Sequence, residues 1–405
     1  MMATRRLFLK SSGLAMFGFG VSPLWLQRAV AAPDPMRKKV LVAIFQRGAV
    51  DGLNVVVPFG ESNYSRLRPN IAIPAPSRGD NGAIDLNGFF GLHPALAPLK
   101  PIYDAKQLAI IHAVGSPDPT RSHFDAQDYM ESGTPGRKTT ADGWLNRALM
   151  QEKDSSPVRA ISVGTTLART LRGSNDAVAV QSVDKFRVSD SDMAGAFETM
   201  YASALDGVLQ GAGRETFEAV KLMESIRLQP YTPANGAEYP NNPLGQSLLQ
   251  IARMIKANAG LEVAFADMGG WDTHANEPAQ LQNLLTQFGA ALAAFHRDMG
   301  DRMEDVAVVT MSEFGRTAKE NGARGTDHGH ANVMFAFGGD IRGGKVYGDW
   351  PGLEQEQLFE GRDLAVTTDF RDVLGELVSR HLGGAPVSKV FPGYAAPKYR
   401  GLVAV

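Results

Sequence analysis

Three of the chain's eight histidines fall in two short motifs between Ala266 and Asn332. His274 lies in G-G-W-D-T-H-A-N, and His328 and His330 lie in G-T-D-H-G-H-A-N. Each stands in a loop-like setting beside a glycine and a carboxylate: Asp272 is two residues before His274, and Asp327 directly precedes His328. Imidazole nitrogen and carboxylate oxygen on short loops form the donor set of divalent metals. One histidine in a glycine-rich loop usually does no more than satisfy a turn. Three in neighbouring loops, each with an aspartate at hand, favour a metal or catalytic site.

The elements that must position these loops are legible. Leu261–Ala266 is an apolar, alternating strand. Asn276-Glu277-Pro278 starts a helix, with proline near its first position. Leu281, Leu284, Leu285, Phe288, Leu292, Phe295 and Met299 then fall on one helical face. Val306–Met311 reads as a buried parallel strand. This βαβ unit places W-D-T-H and S-E-F-G-R-T after the carboxyl ends of strands, the edge where open α/β sheets bind ligands. The same logic applies earlier. Val40–Phe45 is a strand that runs into R-G-A-V-D-G, so Asp51 is either a metal ligand or part of a D-G turn. Leu108–Ala113 is a strand followed by P-T-R-S-H-F-D, with a helix starting near Ser122. A helix amino terminus offers free N–H groups to an anion, so Ser122 is either an exposed nucleophile or, like Thr120, an N-cap. His93 reads as a local cap. Val333–Gly338 is a further strand, Gly343–Tyr347 a hairpin edge, and Asp369–Leu382 an amphipathic helix closed by Gly383-Gly384.

The first 32 residues form a targeting segment. T-R-R-L-F-L-K carries paired arginines, Gly13–Leu26 is mildly apolar, and Ala29-Val30-Ala31 supplies the small residues of a cleavage site. This pattern predicts twin-arginine export, with the translocase as a transient partner. No second long apolar run follows, so no stable membrane span is expected after signal removal. The 405 residues contain no cysteine, which excludes disulfides and thiolate chemistry. A formal net charge of −2 gives no reason to expect nucleic acid. The remaining 33–405, about 370 residues, suffice for one large α/β domain. A looser stretch, 174–243, with helices near Asp192–Leu209 and Arg214–Ile226, reads as a helical insertion or lid.

R-G-A-V-D-G-L, P-T-R-S-H-F-D-A-Q-D, G-G-W-D-T-H-A-N, S-E-F-G-R-T and D-H-G-H-A-N, together with the signal, resemble the domain of unknown function family 1501. These are exported proteins allied to the alkaline phosphatase and sulfatase superfamily. The resemblance covers essentially the whole mature chain. It implies a three-layer α/β/α fold with a mostly parallel sheet, alkaline phosphatase-like, and a site of Asp and His ligands for two metals. Asp51 is similar to the first ligand aspartate, Ser122 to the nucleophile, Asp272 and His274 to the later Asp/His loop, and His328 or His330 to the last ligand. The chain departs from the superfamily at Glu313-Phe314-Gly315, where Asp-His-Gly is usual. Glu313 can ligate and Phe314 cannot, so His328 or His330 fills the gap, or the site holds one metal, or none.

The expectation is thus a periplasmic or secreted metal-dependent hydrolase of phosphate or sulfate esters. Ser122 would attack. Asp51, Asp272, His274, Glu313, Asp327, His328 and His330 form the ligand pool for zinc, calcium or magnesium. His123 and Arg316 would neutralise the small anionic substrate, the guanidinium bidentately. The alternative is a non-catalytic envelope protein that uses the same fold to bind a glycan or a protein partner.

Overall fold

A computed structural model describes residues 37–77, 79, 81–150, 155–184, 219–394 and 397–404. The targeting segment lies outside the described residues, as do residues 185–218 of the expected insertion, including the whole of its first helix. Twelve strands are described: β1 (Val40–Gln46), β2 (Val56–Val57), β3 (Ile84–Asp85), β4 (Gly91–Leu92), β5 (Leu108–Gly115), β6 (Ala160–Val163), β7 (Val178–Val180), β8 (Val263–Met268), β9 (Val306–Met311), β10 (Asn332–Gly338), β11 (Lys345–Tyr347) and β12 (Thr368–Asp369). Nine form one sheet in the order β11-β5-β10-β9-β1-β8-β6-β7, with β12 also beside β5. The short strands β2, β4 and β3 form a separate antiparallel sheet.

The sheet is buried on both faces, which is why its strands are apolar runs rather than alternating ones. On β1, Val40, Val42 and Ile44 enter one core while Leu41, Ala43 and Phe45 enter the other. The helices Pro243–Lys256 and Glu277–Met299 cover the first face, and Trp144–Ala148 and Phe370–Glu376 cover the second. The result is a three-layer α/β/α arrangement. In the long helix, Leu281, Leu285, Phe288, Leu292, Phe295 and Met299 are all buried, as the helical spacing requires, and Leu284 packs on the same core from a half-buried position. Fully burying one such side chain contributes about 1.5–3 kcal/mol.

All pairings in the main sheet are parallel except those of β10, which runs antiparallel to both β5 and β9. This reversal has a positional consequence. The loop before β10 carries His328 and His330, and it reaches the sheet edge at which β1, β5, β8 and β9 end. Strands β8 and β9, joined by the long helix, flank β1 on its two sides, so the loops after all three converge at one switch point. Two local expectations are corrected. Lys345–Tyr347 is not a hairpin edge but an outer strand parallel to β5, because the preceding glycines turn the chain back across the end of the sheet. Val178–Val180, inside the stretch expected to be an insertion, pairs in parallel with β6 at the opposite edge.

At the far end of the sheet Asp340 ties three segments. It accepts from Lys39 ahead of β1 at 2.7 Å and from His381 Nδ1 at 2.8 Å, and its backbone carbonyl accepts from the Ala404 amide. The His381 hydrogen bond, with help from Lys39, holds its carboxyl down to about 2 against an ordinary 3.8. A depressed acid stabilises the fold above its unfolded pKa and loses that contribution as pH falls through its folded pKa. Asp340→Asn should therefore lower unfolding free energy by a constant amount at pH 5–7. The gap from wild type should close between about pH 4 and pH 2. Denaturant titrations across pH check this, and a gap unchanged at the acid end would contradict it.

Candidate metal centre

The centre is built from four loop ends. The helix His123–Ser132 follows the loop after β5, with Ser122 as its N-cap. Asp272 and His274 follow β8, Glu313 and Arg316 follow β9, and Asp327 and His328 lie in the loop entering β10. A backbone bridge between Arg316 and His328 pins the last two loops together. Gly48, after β1, has φ +121°, and a Cβ there would stand 2.6 Å from the Asp272 amide nitrogen. Only glycine lets the β1 and β8 loops approach this closely.

Three imidazoles meet here. His328 Nε2 lies 3.0 Å from His123 Nε2 and 3.0 Å from His274 Nε2. Asp272 joins them, its Oδ1 3.0 Å from His274 Nε2 and 3.3 Å from His328 Nε2, its Oδ2 3.5 Å from His123 Nε2. The opposite nitrogen of each ring faces an acceptor that cannot donate. His123 Nδ1 meets Glu313 at 2.8 Å, His274 Nδ1 meets Asp327 at 3.0 Å, and His328 Nδ1 meets the Arg121 carbonyl at 2.9 Å. Carboxylates and carbonyls only accept, so each Nδ1 carries hydrogen. In the neutral ring, each Nε2 then keeps its lone pair, the tautomer that metal-binding histidines adopt, and His123, Asp272 and His328 offer ligand atoms that all lie within 4.8 Å of one another, with His274 beside them. The Glu313 bond raises the pKa of His123, whereas burial lowers that of His328. Phe314 packs against both rings, with centroids 5.0 and 5.1 Å away.

The other expected residues fall into outer roles. Glu313 is buried, and its Oε1 accepts from His123, from the Gly48 amide at 2.8 Å and from Gln127 at 2.9 Å. Its Oε2 accepts from Ser312 Oγ at 3.0 Å. Burial favours its neutral form, but these donors outweigh burial and its pKa falls. Asp327 accepts from His274 and from Asn321. His330 is outside the cluster and stacks on Phe359, centroids 4.3 Å apart. Asp51 does not face the imidazoles in any hydrogen bond. Both its oxygens accept from the fully buried Arg68, at 2.5 and 2.9 Å, and that charge overrides burial to lower its pKa. Beside it, Glu277 is buried and its pKa is raised well above the ordinary value by burial and by Asp51. Glu277 accepts from Thr273 at 3.0 Å and from Thr326 at 2.5 Å, tying together the two loops that carry His274 and His328. His93 caps the following turn, accepting from the Ala95 amide at 3.1 Å.

Arg316 corrects the expectation of an anion grip. Its side chain is 0 % exposed. It donates to the carbonyls of Ala49 (2.7 Å), Thr326 (3.0 Å), Gly48 (2.7 Å) and Trp271 (3.0 Å), and to Asp272 Oδ1 at 2.5 Å. Buried among these acceptors, the guanidinium is not presented to a substrate. The sequence reading also passed over Gln127 and Arg47. Gln127 shares a helix face with His123, four residues on, and its oxygen accepts from Arg47 at 3.0 Å. The i, i+4 spacing was the available signal.

A family model described as protein of unknown function, DUF1501, matches residues 105–386. No curated protein matches the chain. Among solved structures it is similar to a protein of the alkaline phosphatase superfamily from Vibrio parahaemolyticus, at 9% identity and a TM-score of 0.33, over 76% of this chain and 62% of that one. The chain therefore spans less than two thirds of the Vibrio protein. It is also similar to a sulfatase from Pseudoalteromonas sp., at 12% identity and a TM-score of 0.37, over 100% of this chain and 78% of that one. A third likeness is to the C-terminal periplasmic domain of EcEptC from Escherichia coli in complex with zinc, at 9% identity and a TM-score of 0.33, over 76% of this chain and 75% of that one.

Arg316→Met tests the role of the clamp. Each buried carbonyl it strands costs about 1–3 kcal/mol, so the variant should lose at least about 3 kcal/mol of stability by equilibrium unfolding. Wild-type stability in Arg316→Met would return the residue to substrate binding.

Proposed function

The chain belongs to the DUF1501 family, and from that premise we propose that it is an exported, metal-dependent hydrolase of phosphate or sulfate esters. The observation that carries the reading is the convergence of the oriented Nε2 atoms of His123 and His328 with the Asp272 carboxylate. This donor chemistry fits a divalent cation: neutral imidazoles in fixed tautomers, plus one carboxylate at a sheet edge. His123, His328 and Asp272 would hold it, with His274 beside them. A cation bound there supplies Lewis-acid polarisation of an ester oxygen.

The protein's own groups do the rest. Glu313, Asp327 and the Arg121 carbonyl hold the rings in one tautomer. Arg316 keeps Asp272 in place and lowers its pKa against the effect of burial, so the carboxylate stays ionised at neutral pH. Ser122 is the attacking hydroxyl of the proposal. Its cap bond to the Asp125 amide is long, 3.5 Å, so little is lost when the hydroxyl turns to a substrate. Twin-arginine export and a periplasmic or secreted location belong to the same proposal. Among the described residues no helix is long and apolar enough to cross a membrane.

One observation favours the second reading, a non-catalytic envelope protein that binds a glycan or protein partner. The arginines around the site are already engaged: Arg316 in the clamp, Arg121 with Glu360 and Asp363, Arg47 with Asp267 and Glu131. An anionic ester finds no uncommitted guanidinium among them. Turnover of chromogenic phosphate and sulfate esters by the purified protein separates the two. The hydrolase reading expects hydrolysis of one of them, abolished by a chelator and restored by a divalent metal. No turnover of either ester under metal-replete conditions would leave the binding protein.

A further inference from the structure

The resemblance implies two metals, with a ligand from the loop after β9. The geometry argues for a different division of labour. Glu313 occupies the place of that ligand, yet its oxygens already accept four hydrogen bonds, from Gly48, His123, Gln127 and Ser312. Three of the four fall on Oε1, the oxygen that faces His123, and a carboxylate oxygen offers about two lone-pair sites, so Oε1 has none for a cation, while Oε2 is turned to Ser312. Phe314, next in line, has no donor atom. The other carboxylate that a second ion would need, Asp51, gives both oxygens to Arg68 inside the core. In contrast His123, one residue into its helix, has its Nδ1 tied to Glu313 and its Nε2 aimed at His328 and Asp272.

Resting on the metal-site reading above, we infer that the centre takes a single divalent ion of the zinc class. His123 is one of its ligands, and Glu313 is the positioning residue of His123. Ligand duty has moved from the loop after β9 to the start of the helix after β5. The two imidazoles of His123 and His328 and one carboxylate suit a borderline ion such as zinc better than calcium or magnesium, which prefer oxygen. His328 also enforces the count, because its single Nε2 lone pair is shared by both halves of the cluster and can bind only one ion. The chain Asp267–Arg47–Gln127–Glu313 extends the support outward, each member holding the next.

The test uses the full-length chain, stripped with chelator and titrated with Zn²⁺ alone, with metal content measured by elemental analysis and affinity by competition with a chromophoric chelator. One ion per chain is expected. His123→Ala should weaken zinc by at least about 100-fold, and Glu313→Ala by about 10–100-fold, the range for losing an outer-shell partner. Cobalt substitution gives a readout that a structural role would not move. The visible bands of the Co²⁺ form should change with His123→Ala, which removes a ligand, and keep their positions in Glu313→Gln. Circular dichroism checks folding, and His123→Gln replaces the alanine variant if that fails to fold. Two ions per chain, or a larger loss from Glu313→Ala than from His123→Ala, would overturn this inference and leave a metal centre standing. No zinc bound by the wild type would overturn both.

Discussion

One buried guanidinium determines where the loops of this protein can be. Arg316 reaches backward to the turn after β1, sideways to the loop after β8, and across to the loop before β10. Those three segments are distant in sequence, and none is long enough to fold on its own. A planar fork with five donors can satisfy carbonyls from all of them at once, which a lysine cannot. Its last bond goes to Asp272 Oδ1, so the clamp that organises the backbone also sets the orientation of the carboxylate. Scaffold and centre are therefore not separable here.

Around that clamp the polar groups are arranged in two layers. The inner layer is imidazole and one carboxylate. The outer layer consists of acceptors that already hold donors: Glu313 with four, Asp327 with two, Asp51 with Arg68. A carboxylate oxygen that faces several donors is a poor ligand but a good orienter, because its lone pairs are engaged and its direction is fixed. Glu277 is used in a similar way. Burial and Asp51 raise its pKa well above the ordinary value, and its Oε2 holds Thr273 and Thr326 next to the residues that matter.

Much of this was legible in the sequence. The strands after which the ligand loops fall, the helix face from Leu281 to Met299, and the pairing of Asp272 with His274 follow from period and spacing. What could not be read is which polar residue satisfies which. Glu313 and His123 stand 190 residues apart, and the choice between ligand and orienter depends on whether Gly48 and Gln127 reach the same oxygen. Asp51 looked available because Arg68, its partner, lies 17 residues on, at the end of the helix Ser62–Leu67, with a strand between them and no common register to link the two. Arg316 looked like a grip on an anion for the same reason, since its carbonyl partners leave no trace in residue type. The reversed direction of β10 was equally hidden, because a fully buried strand reads alike in either direction. That reversal is what delivers His328 to the shared edge and leaves His330 on Phe359.

The central claim is that His123, His328 and Asp272 enclose one cation and that Glu313 lies outside its coordination sphere. A crystal of the zinc-loaded protein, with anomalous diffraction recorded on both sides of the zinc edge, tests it most directly. The account predicts a single anomalous peak, about 2.0–2.1 Å from Nε2 of His123 and His328 and at bonding distance from Asp272. Glu313 should still hold His123 Nδ1. A peak bonded to Glu313 or Asp51, or a second peak beside the first, would contradict it.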